Sequence, residues 1–183
     1  LMIRGPPGST LVPYTTLCRS GFDLLTYKTV RSSFRPCYDL PNWVFVEEAR
    51  DDPGTYFVTD DLPDDPREVS SSVCFGMPSM APEVWRKDVA RAKSGLAEGQ
   101  LLIVSVVATP LEGWTLELVA ADFVQCAVWA RDAGADVVEA NFSCPNVCSS
   151  EGSIYLDAES SGHIASEIRK AIGQTPLLIK TGH

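Results

Sequence analysis

The amino-acid sequence predicts an α/β fold built on parallel strands. Short apolar runs of the kind that form buried parallel strands alternate with segments of helical pattern in the second half of the chain. Polar side chains gather directly after these runs, and parallel α/β folds place their chemistry at the carboxyl ends of the strands. Parallel strands are therefore expected at residues 22–28, 101–108, 136–141 and 177–180.

The first part of the chain is interpreted from its turn and helix signals. Residues 1–3 are expected to be the remnant of a strand. Residues 5–9 form either an ordinary loop or a ligand-binding loop, because glycine lets the backbone approach a ligand closely. Residues 11–19 are expected to form a helix that begins near Pro13. The strand at 22–28 leads into the pair Lys28 and Thr29.

Residues 31–65 are acidic and contain several prolines. We interpret them as an excursion with short strands, extending to about residue 70, rather than as a second domain. The whole chain, residues 1–183, is thus expected to be a single domain. Helices are expected at residues 82–98, 122–133 and 161–172.

The composition argues against several classes of function. The chain has 15 Lys and Arg against 24 Asp and Glu, a formal net charge of -9, which argues against nucleic acid or an anionic membrane as a general partner. No apolar run reaches the length of a membrane span. The six cysteines form no Cys-x-x-Cys pair and no spacing suited to zinc or an iron–sulfur cluster. We therefore expect no metal, free thiols and a cytoplasmic location.

The densest group of reactive side chains is the motif Asn-Phe-Ser-Cys-Pro-Asn at residues 141–146. It follows the predicted strand at 136–141, which in turn follows Gly134 at a predicted helix end. Pro145 fixes one backbone angle, so the polar groups are held on a loop at the strand's carboxyl end. A cysteine between two asparagines in such a loop is a candidate nucleophile or base, beside amides able to bind a planar polar ligand.

This motif closely resembles the active-site sequence of the dihydroorotate dehydrogenase family, of the type that uses a cysteine base. It is also similar to the pyrimidine-reducing domain of dihydropyrimidine dehydrogenase. Residues 21–32, 75–79 and 176–182 resemble the family in the same order. The resemblance implies a (β/α)8 TIM barrel that binds FMN and interconverts dihydroorotate and orotate in pyrimidine biosynthesis. Such barrels take about 250 residues, so the 183 residues are expected to hold the N-terminal half to two-thirds of one.

The resemblance also implies roles for individual residues. Cys144 is expected to be the acid/base that exchanges a proton with a substrate carbon. The residues implied in substrate binding are Lys28, Phe75, Gly76, Met77, Asn141 and Asn146. Those implied in FMN binding are Lys28, Thr29, Asn141, Ser143 and Lys180. The lysines would stabilise negative charge on the reduced flavin. Residues 147–155, rich in small side chains, are expected to form a mobile lid.

One position departs from the family pattern. Val73 falls where the family has an asparagine that contacts orotate, and a valine side chain neither donates nor accepts a hydrogen bond. Two alternatives therefore stay open: a related flavin enzyme acting on another pyrimidine or an enone-like substrate, and a barrel fragment or interaction protein without catalytic activity. A homodimer is the expected assembly, and an electron-transfer subunit is a further partner to test.

Overall fold

The computed structural model of the protein describes residues 21–144 and 153–182. Within these ranges the strands are β1 (Leu24–Val30), β2 (Trp43–Glu48), β3 (Tyr56–Val58), β4 (Ser70–Val73), β5 (Leu101–Val106), β6 (Val137–Asn141) and β7 (Leu177–Lys180). The α-helices are α1 (Pro82–Ser94), α2 (Leu116–Asp132) and α3 (Ala158–Ile172), with a 3-10 turn at Ile154–Leu156. The predictions for residues 1–3, 5–9, 11–19, Asn146 and most of the loop 147–155 lie outside the described residues.

The four predicted parallel strands form one sheet, the main sheet, in the order β1-β5-β6-β7. This confirms the predicted α/β class with a parallel sheet. Parallel neighbours need a crossover connection, which α2 supplies between β5 and β6 and α3 supplies between β6 and β7. Three strands differ in their bounds from the predictions. β1 runs from Leu24 to Val30 instead of 22–28, β5 ends at Val106 instead of residue 108, and β6 begins at Val137 instead of residue 136.

Two helices begin earlier than their patterns predict. α2 begins at Leu116 instead of residue 122, directly after Thr115, whose extended backbone marks the N-cap position although its side chain makes no capping hydrogen bond. α3 begins at residue 158 instead of 161, because the Asp157 side chain caps it by accepting a hydrogen bond from the backbone N–H of Glu159. The apolar periodicity on which the predictions rest does not show at which residue a helix begins.

The core lies between the main sheet and the helices. The fully buried side chains that β5 and β6 turn toward the helices are Val104, Val106, Val138 and Ala140. Phe123 of α2 meets Phe142 edge-on, with ring centroids 5.4 Å apart. Because Phe142 directly follows the last residue of β6, this packing anchors the loop that leaves the strand.

β1 carries a bulge just before its end. Tyr27 pairs with Val104 and Val30 pairs with Val106, so β1 has one residue more than β5 between these two pairs. Tyr27 and Val30 are both buried on the helix side of the sheet. The extra residue turns Thr29 to the opposite side, where its hydroxyl reaches the side chains of β5 and β6.

The predicted excursion contains a three-stranded antiparallel sheet in the order β3-β2-β4, which we call the ribbon. Its pairing continues past β4, because the Tyr38 N–H donates to the Phe75 carbonyl and Arg35 forms a bridge with Ser79. The extended chain therefore runs from the ribbon directly into the segment 75–79. No helix in the described parts of the chain is long and apolar enough to cross a membrane.

Candidate functional site

The carboxyl ends of β1, β6 and β7 meet at one edge of the main sheet. Asn141 and Lys180 are register partners, and the Lys180 ammonium donates to Asn141 Oδ1 at 2.9 Å and also to the Ser143 carbonyl. Asn141 Nδ2 donates to Thr29 Oγ1 at 3.0 Å. Four of the five residues expected to bind the cofactor are therefore linked directly by hydrogen bonds.

Asn141 is the centre of this group and is only 5% exposed. Its Oδ1 accepts from the Ser143 backbone N–H at 3.2 Å as well as from Lys180. Its Nδ2 faces Met77 Sδ at 3.7 Å as well as Thr29. The oxygen and the nitrogen of the amide thus have different sets of partners, which fixes the orientation of the amide.

The segment predicted to contact substrate, residues 75–77, reaches Asn141 through Met77. Gly76 has a φ of 76°, and an added Cβ would lie 2.7 Å from the Tyr38 ring, so no larger residue fits there without movement. Met77 has a φ of 48°, a left-handed conformation that residues with a side chain rarely adopt. Backbone strain of this kind clusters at functional sites.

Arg31 holds this segment in place and was missed by the sequence analysis. It is fully buried, and its Nε donates to the Met77 carbonyl at 3.0 Å while its Nη1 donates to the Ala108 carbonyl at 2.6 Å. Arginine is rarely buried without partners. Its place directly after the apolar end of β1 was therefore the one sequence feature that could have indicated a buried, hydrogen-bonded arginine. The guanidinium ties the strained segment to the chain that leaves β5.

Ser105 and Glu139 extend the group along the main sheet. Ser105 was interpreted from the sequence as a core hydroxyl satisfied by the backbone, but its partners are side chains. Glu139 was missed. They are register partners on β5 and β6. Ser105 Oγ lies 3.0 Å from Thr29 Oγ1 and donates to Glu139 Oε1 at 2.7 Å. The only signal in the sequence was the presence of a polar residue within each apolar strand, and such a residue is usually satisfied by a partner inside the fold.

Cys144 and Cys126 have different surroundings. Cys144 follows Ser143 directly, is half-buried and packs against the edge of the core. Cys126 is fully buried in α2, where burial raises the pKa of its thiol and the charge of Asp122 raises it further. A thiol that exchanges protons with a ligand must be ionisable and accessible. Of these two cysteines, Cys144 is the one whose position suits proton exchange with a ligand.

Among the described residues, Lys28 and Val73 are not hydrogen-bonded to this group. Lys28 is in the β1 bulge beside Thr29, and its side chain is exposed. Val73 is half-buried at the end of β4, where it pairs with Trp43 of the ribbon. Its apolar side chain is thus part of the ribbon at the point where the chain turns toward segment 75–77.

The group of donors fits the edge of a flavin ring. A flavin presents a polar, hydrogen-bonding edge that becomes negatively charged on reduction, and proteins tune it with nearby cations and hydrogen bonds. Lys180 supplies an ammonium and Asn141 an amide, at the edge of a parallel sheet where ligands bind in α/β folds. No cluster of metal-ligating side chains is present in residues 21–144 and 153–182.

A protein of Dictyostelium discoideum named dihydroorotate dehydrogenase is 36% identical to this chain over 173 residues. The match takes in 89% of the chain and 46% of that protein, so the chain spans slightly less than half the length of this relative. No family model matches the chain. The resemblance to the dihydroorotate dehydrogenase family, drawn from the motif at 141–146, is confirmed by this relative.

Proposed function

We propose that the chain forms part of a (β/α)8 barrel and works as an FMN-dependent oxidoreductase that interconverts dihydroorotate and orotate. The observation that carries this proposal is the contact between Thr29, Asn141 and Lys180 at the carboxyl ends of three parallel strands, beside the loop that bears Cys144. The similarity to a protein named dihydroorotate dehydrogenase supports the choice of reaction.

The residues that would hold FMN are Lys28, Thr29, Asn141, Ser143 and Lys180. When bound, FMN supplies an acceptor for the hydride that leaves the substrate. The Lys180 ammonium would lie against the ring edge where negative charge develops, and it is held there by the side-chain oxygen of Asn141 and the carbonyl of Ser143. Asn141 thus serves both as a ligand and as an anchor for the cation.

Cys144 would move the proton of the reaction. Oxidation of a CH–CH pair removes a proton from one carbon and a hydride from its neighbour. In the thiolate form, Cys144 Sγ accepts the proton, and an S–H bond forms as the C–H bond breaks. In the opposite direction the thiol returns that proton to carbon. Cys144 is half-buried rather than enclosed in the core, which is compatible with this role.

The residues that would orient the substrate are Lys28, Phe75, Gly76, Met77, Asn141 and Asn146. Arg31 preorganises this set, since it fixes the Met77 carbonyl before any ligand arrives. Val73 favours a second candidate function, a related flavin enzyme that acts on another pyrimidine or an enone-like substrate. A site that lacks one hydrogen-bonding partner discriminates less strongly for the ligand that would use it.

Turnover by the full-length protein tests these proposals. A yellow preparation with a flavin spectrum that oxidises dihydroorotate faster than dihydrouracil supports the first candidate. A yellow preparation that prefers dihydrouracil moves the assignment to the second. A folded, colourless protein that binds no added FMN contradicts both and leaves the interpretation as an interaction protein.

We also propose a homodimer that forms through the ribbon. Trp43 and Phe45 of β2 lie on the same side of the ribbon as Phe57 of β3, because Phe57 pairs with Glu47. Trp43 is 60% exposed and Phe57 is 49% exposed. Exposed aromatic side chains on one face are typical of protein interfaces. The electron-transfer subunit and the cytoplasmic location stay predictions of the sequence analysis.

A further inference from the structure

Glu139 has no role in the proposed reaction, yet it ends a chain of side-chain hydrogen bonds that crosses all four strands of the main sheet. Lys180 Nζ donates to Asn141 Oδ1 at 2.9 Å, and Asn141 Nδ2 donates to Thr29 Oγ1 at 3.0 Å. Thr29 Oγ1 lies 3.0 Å from Ser105 Oγ, which donates to Glu139 Oε1 at 2.7 Å. The chain therefore joins a lysine on β7 to a glutamate in the middle of β6.

The donors and acceptors of this chain have one consistent arrangement. A carboxylate only accepts hydrogen bonds, so the single hydroxyl hydrogen of Ser105 goes to Glu139. Ser105 must then accept the hydroxyl hydrogen of Thr29. The Thr29 oxygen is left as the acceptor for the NH2 group of Asn141. Every hydrogen in the chain thus points toward Glu139.

We infer that Glu139 is a positioning residue for Asn141. By setting the direction of these hydrogen bonds, its carboxylate holds the Asn141 amide with the oxygen toward Lys180 and the NH2 group toward Thr29. The opposite orientation would place amide hydrogens against an ammonium. The chain orients and does not conduct protons, because an amide does not readily give up a proton and take another.

The orientation of Asn141 does not depend on the proposed function, but its consequence for the cofactor rests on that function. If Asn141 and Lys180 bind FMN, loss of the Glu139 carboxylate loosens the polar edge of the flavin site. Glu139 does so from two residues before Asn141 on β6. Glu139 would then influence FMN affinity without touching FMN.

Side-chain 15N–1H NMR of Asn141 in the full-length protein, without FMN, tests the orientation directly. In Glu139→Leu, Ser105 loses its acceptor and its hydroxyl turns to compete for the Thr29 oxygen. The Asn141 amide signals should shift, and their exchange with solvent should become faster by roughly fivefold or more, the effect of one net hydrogen bond. FMN titration should show a loss of affinity of about the same factor. Ser105→Ala should give the same two changes.

A double variant separates this role from a direct effect of the Glu139 charge. If Glu139 acts through Ser105, combining Ser105→Ala with Glu139→Leu is no worse than the more damaging single change, whereas independent effects add. Glu139→Gln keeps an acceptor oxygen and should bring the Asn141 signals back toward those of the native protein. Rescue by Gln would not be expected if the negative charge of Glu139 acted directly on Asn141, because Gln has nearly the same shape as Glu but no charge.

Unchanged Asn141 signals in Glu139→Leu, or additive effects in the double variant, would overturn the inference. If Glu139→Leu fails to fold, the comparison of Ser105→Ala with Glu139→Gln gives the same test, because the first breaks the chain and the second preserves it. A protein that binds no FMN but shows the coupled NMR changes contradicts the proposed function and supports the inference.

Discussion

Cys144 is the residue whose role can be separated most cleanly from binding. Cys144→Ala should retain FMN and substrate, while reduction of the bound flavin by dihydroorotate slows by roughly 10²–10⁴-fold, the usual contribution of a positioned general base. Cys144→Ser should retain some activity that rises with pH, because a hydroxyl is a much weaker acid than a thiol and forms its reactive anion only in a more basic medium. Rapid-mixing absorbance of the flavin measures both rates.

Cys37 is a matched control for this experiment, because it is also free and half-buried but does not belong to the loop that follows β6. Cys37→Ala should reduce flavin at the native rate. A native rate in Cys144→Ala would assign the proton transfer to another group.

Lys180 tests the electrostatic part of the proposal. Lys180→Met keeps most of the length of the side chain and removes the ammonium that Asn141 and Ser143 hold. Loss of a cation beside a developing anion should lower the flavin reduction potential by tens of millivolts, where about 30 mV is a tenfold change for a two-electron couple. Potentiometric titration with a reference dye measures the shift.

Lys170→Met is the control. It removes a surface ammonium paired with Glu167 on α3 and should leave the potential unchanged. Equal potentials in all three proteins would refute the assignment.

The site residues differ in how far they could be predicted from the sequence. Asn141 and Lys180 were predictable as neighbours because each ends an apolar run, and the ends of parallel strands meet at one edge. Glu139 and Arg31 were not, because neither residue stands at the end of a predicted strand. Arg31 binds the carbonyls of Met77 and Ala108, and neither contact leaves a local pattern.

At the scale of elements, the β1 bulge decides which side chains reach the site. Without the extra residue, strict alternation from Tyr27 would leave Val30 on the sheet face opposite to the core that buries it. The sequence predicted this strand but not its bulge, because alternation alone does not show an extra residue. The ribbon was predicted only as short strands, since its long-range pairing depends on contacts across residues 43–73.

The ribbon provides a prediction about assembly. Replacing Trp43 or Phe57 by Ser should weaken the proposed dimer by roughly tenfold or more, because large aromatic side chains dominate interface energies. Tyr56→Ser is the control, since Tyr56 neighbours Phe57 on the opposite side of β3 and is similarly exposed, at 57%. Sedimentation equilibrium of the full-length protein measures the dissociation constants. A monomeric native protein, or equal weakening by all three variants, would contradict the proposal.

For the whole molecule, the arrangement of strands and helices was predictable, and closure into a barrel stays a prediction. The alternation of apolar runs and helical segments sufficed for a parallel sheet, because parallel neighbours require crossovers. The helix starts at Leu116 and Ala158 were missed, since they depend on capping residues. The match to a relative that is about twice as long agrees with the expectation that the barrel needs more strands than β1, β5, β6 and β7.

One side of the main sheet faces away from the helices. We call it the open face and define it by Leu24, Leu101 and Leu178. Leu24 pairs with Leu101, and these leucines are 60%, 41% and 45% exposed. In a closed barrel this side would be the packed interior. Residues 1–183 expressed alone should therefore bind a hydrophobic dye and aggregate, whereas the full-length protein should bind no dye and should not associate beyond its proposed dimer.

Leu101→Lys is the variant that tests this closure. It should reduce dye binding by residues 1–183, because it puts a charge on exposed apolar surface. In the full-length protein the same change should lower the unfolding temperature, because it would bury an unpaired charge in the barrel. Leu118→Lys is the control, since Leu118 lies on α2 with a similar exposure of 49% and should change neither measurement greatly. Dye fluorescence and thermal unfolding follow the two effects. A full-length protein that accepts Leu101→Lys without loss of stability would show that this side of the sheet is not the interior of a barrel.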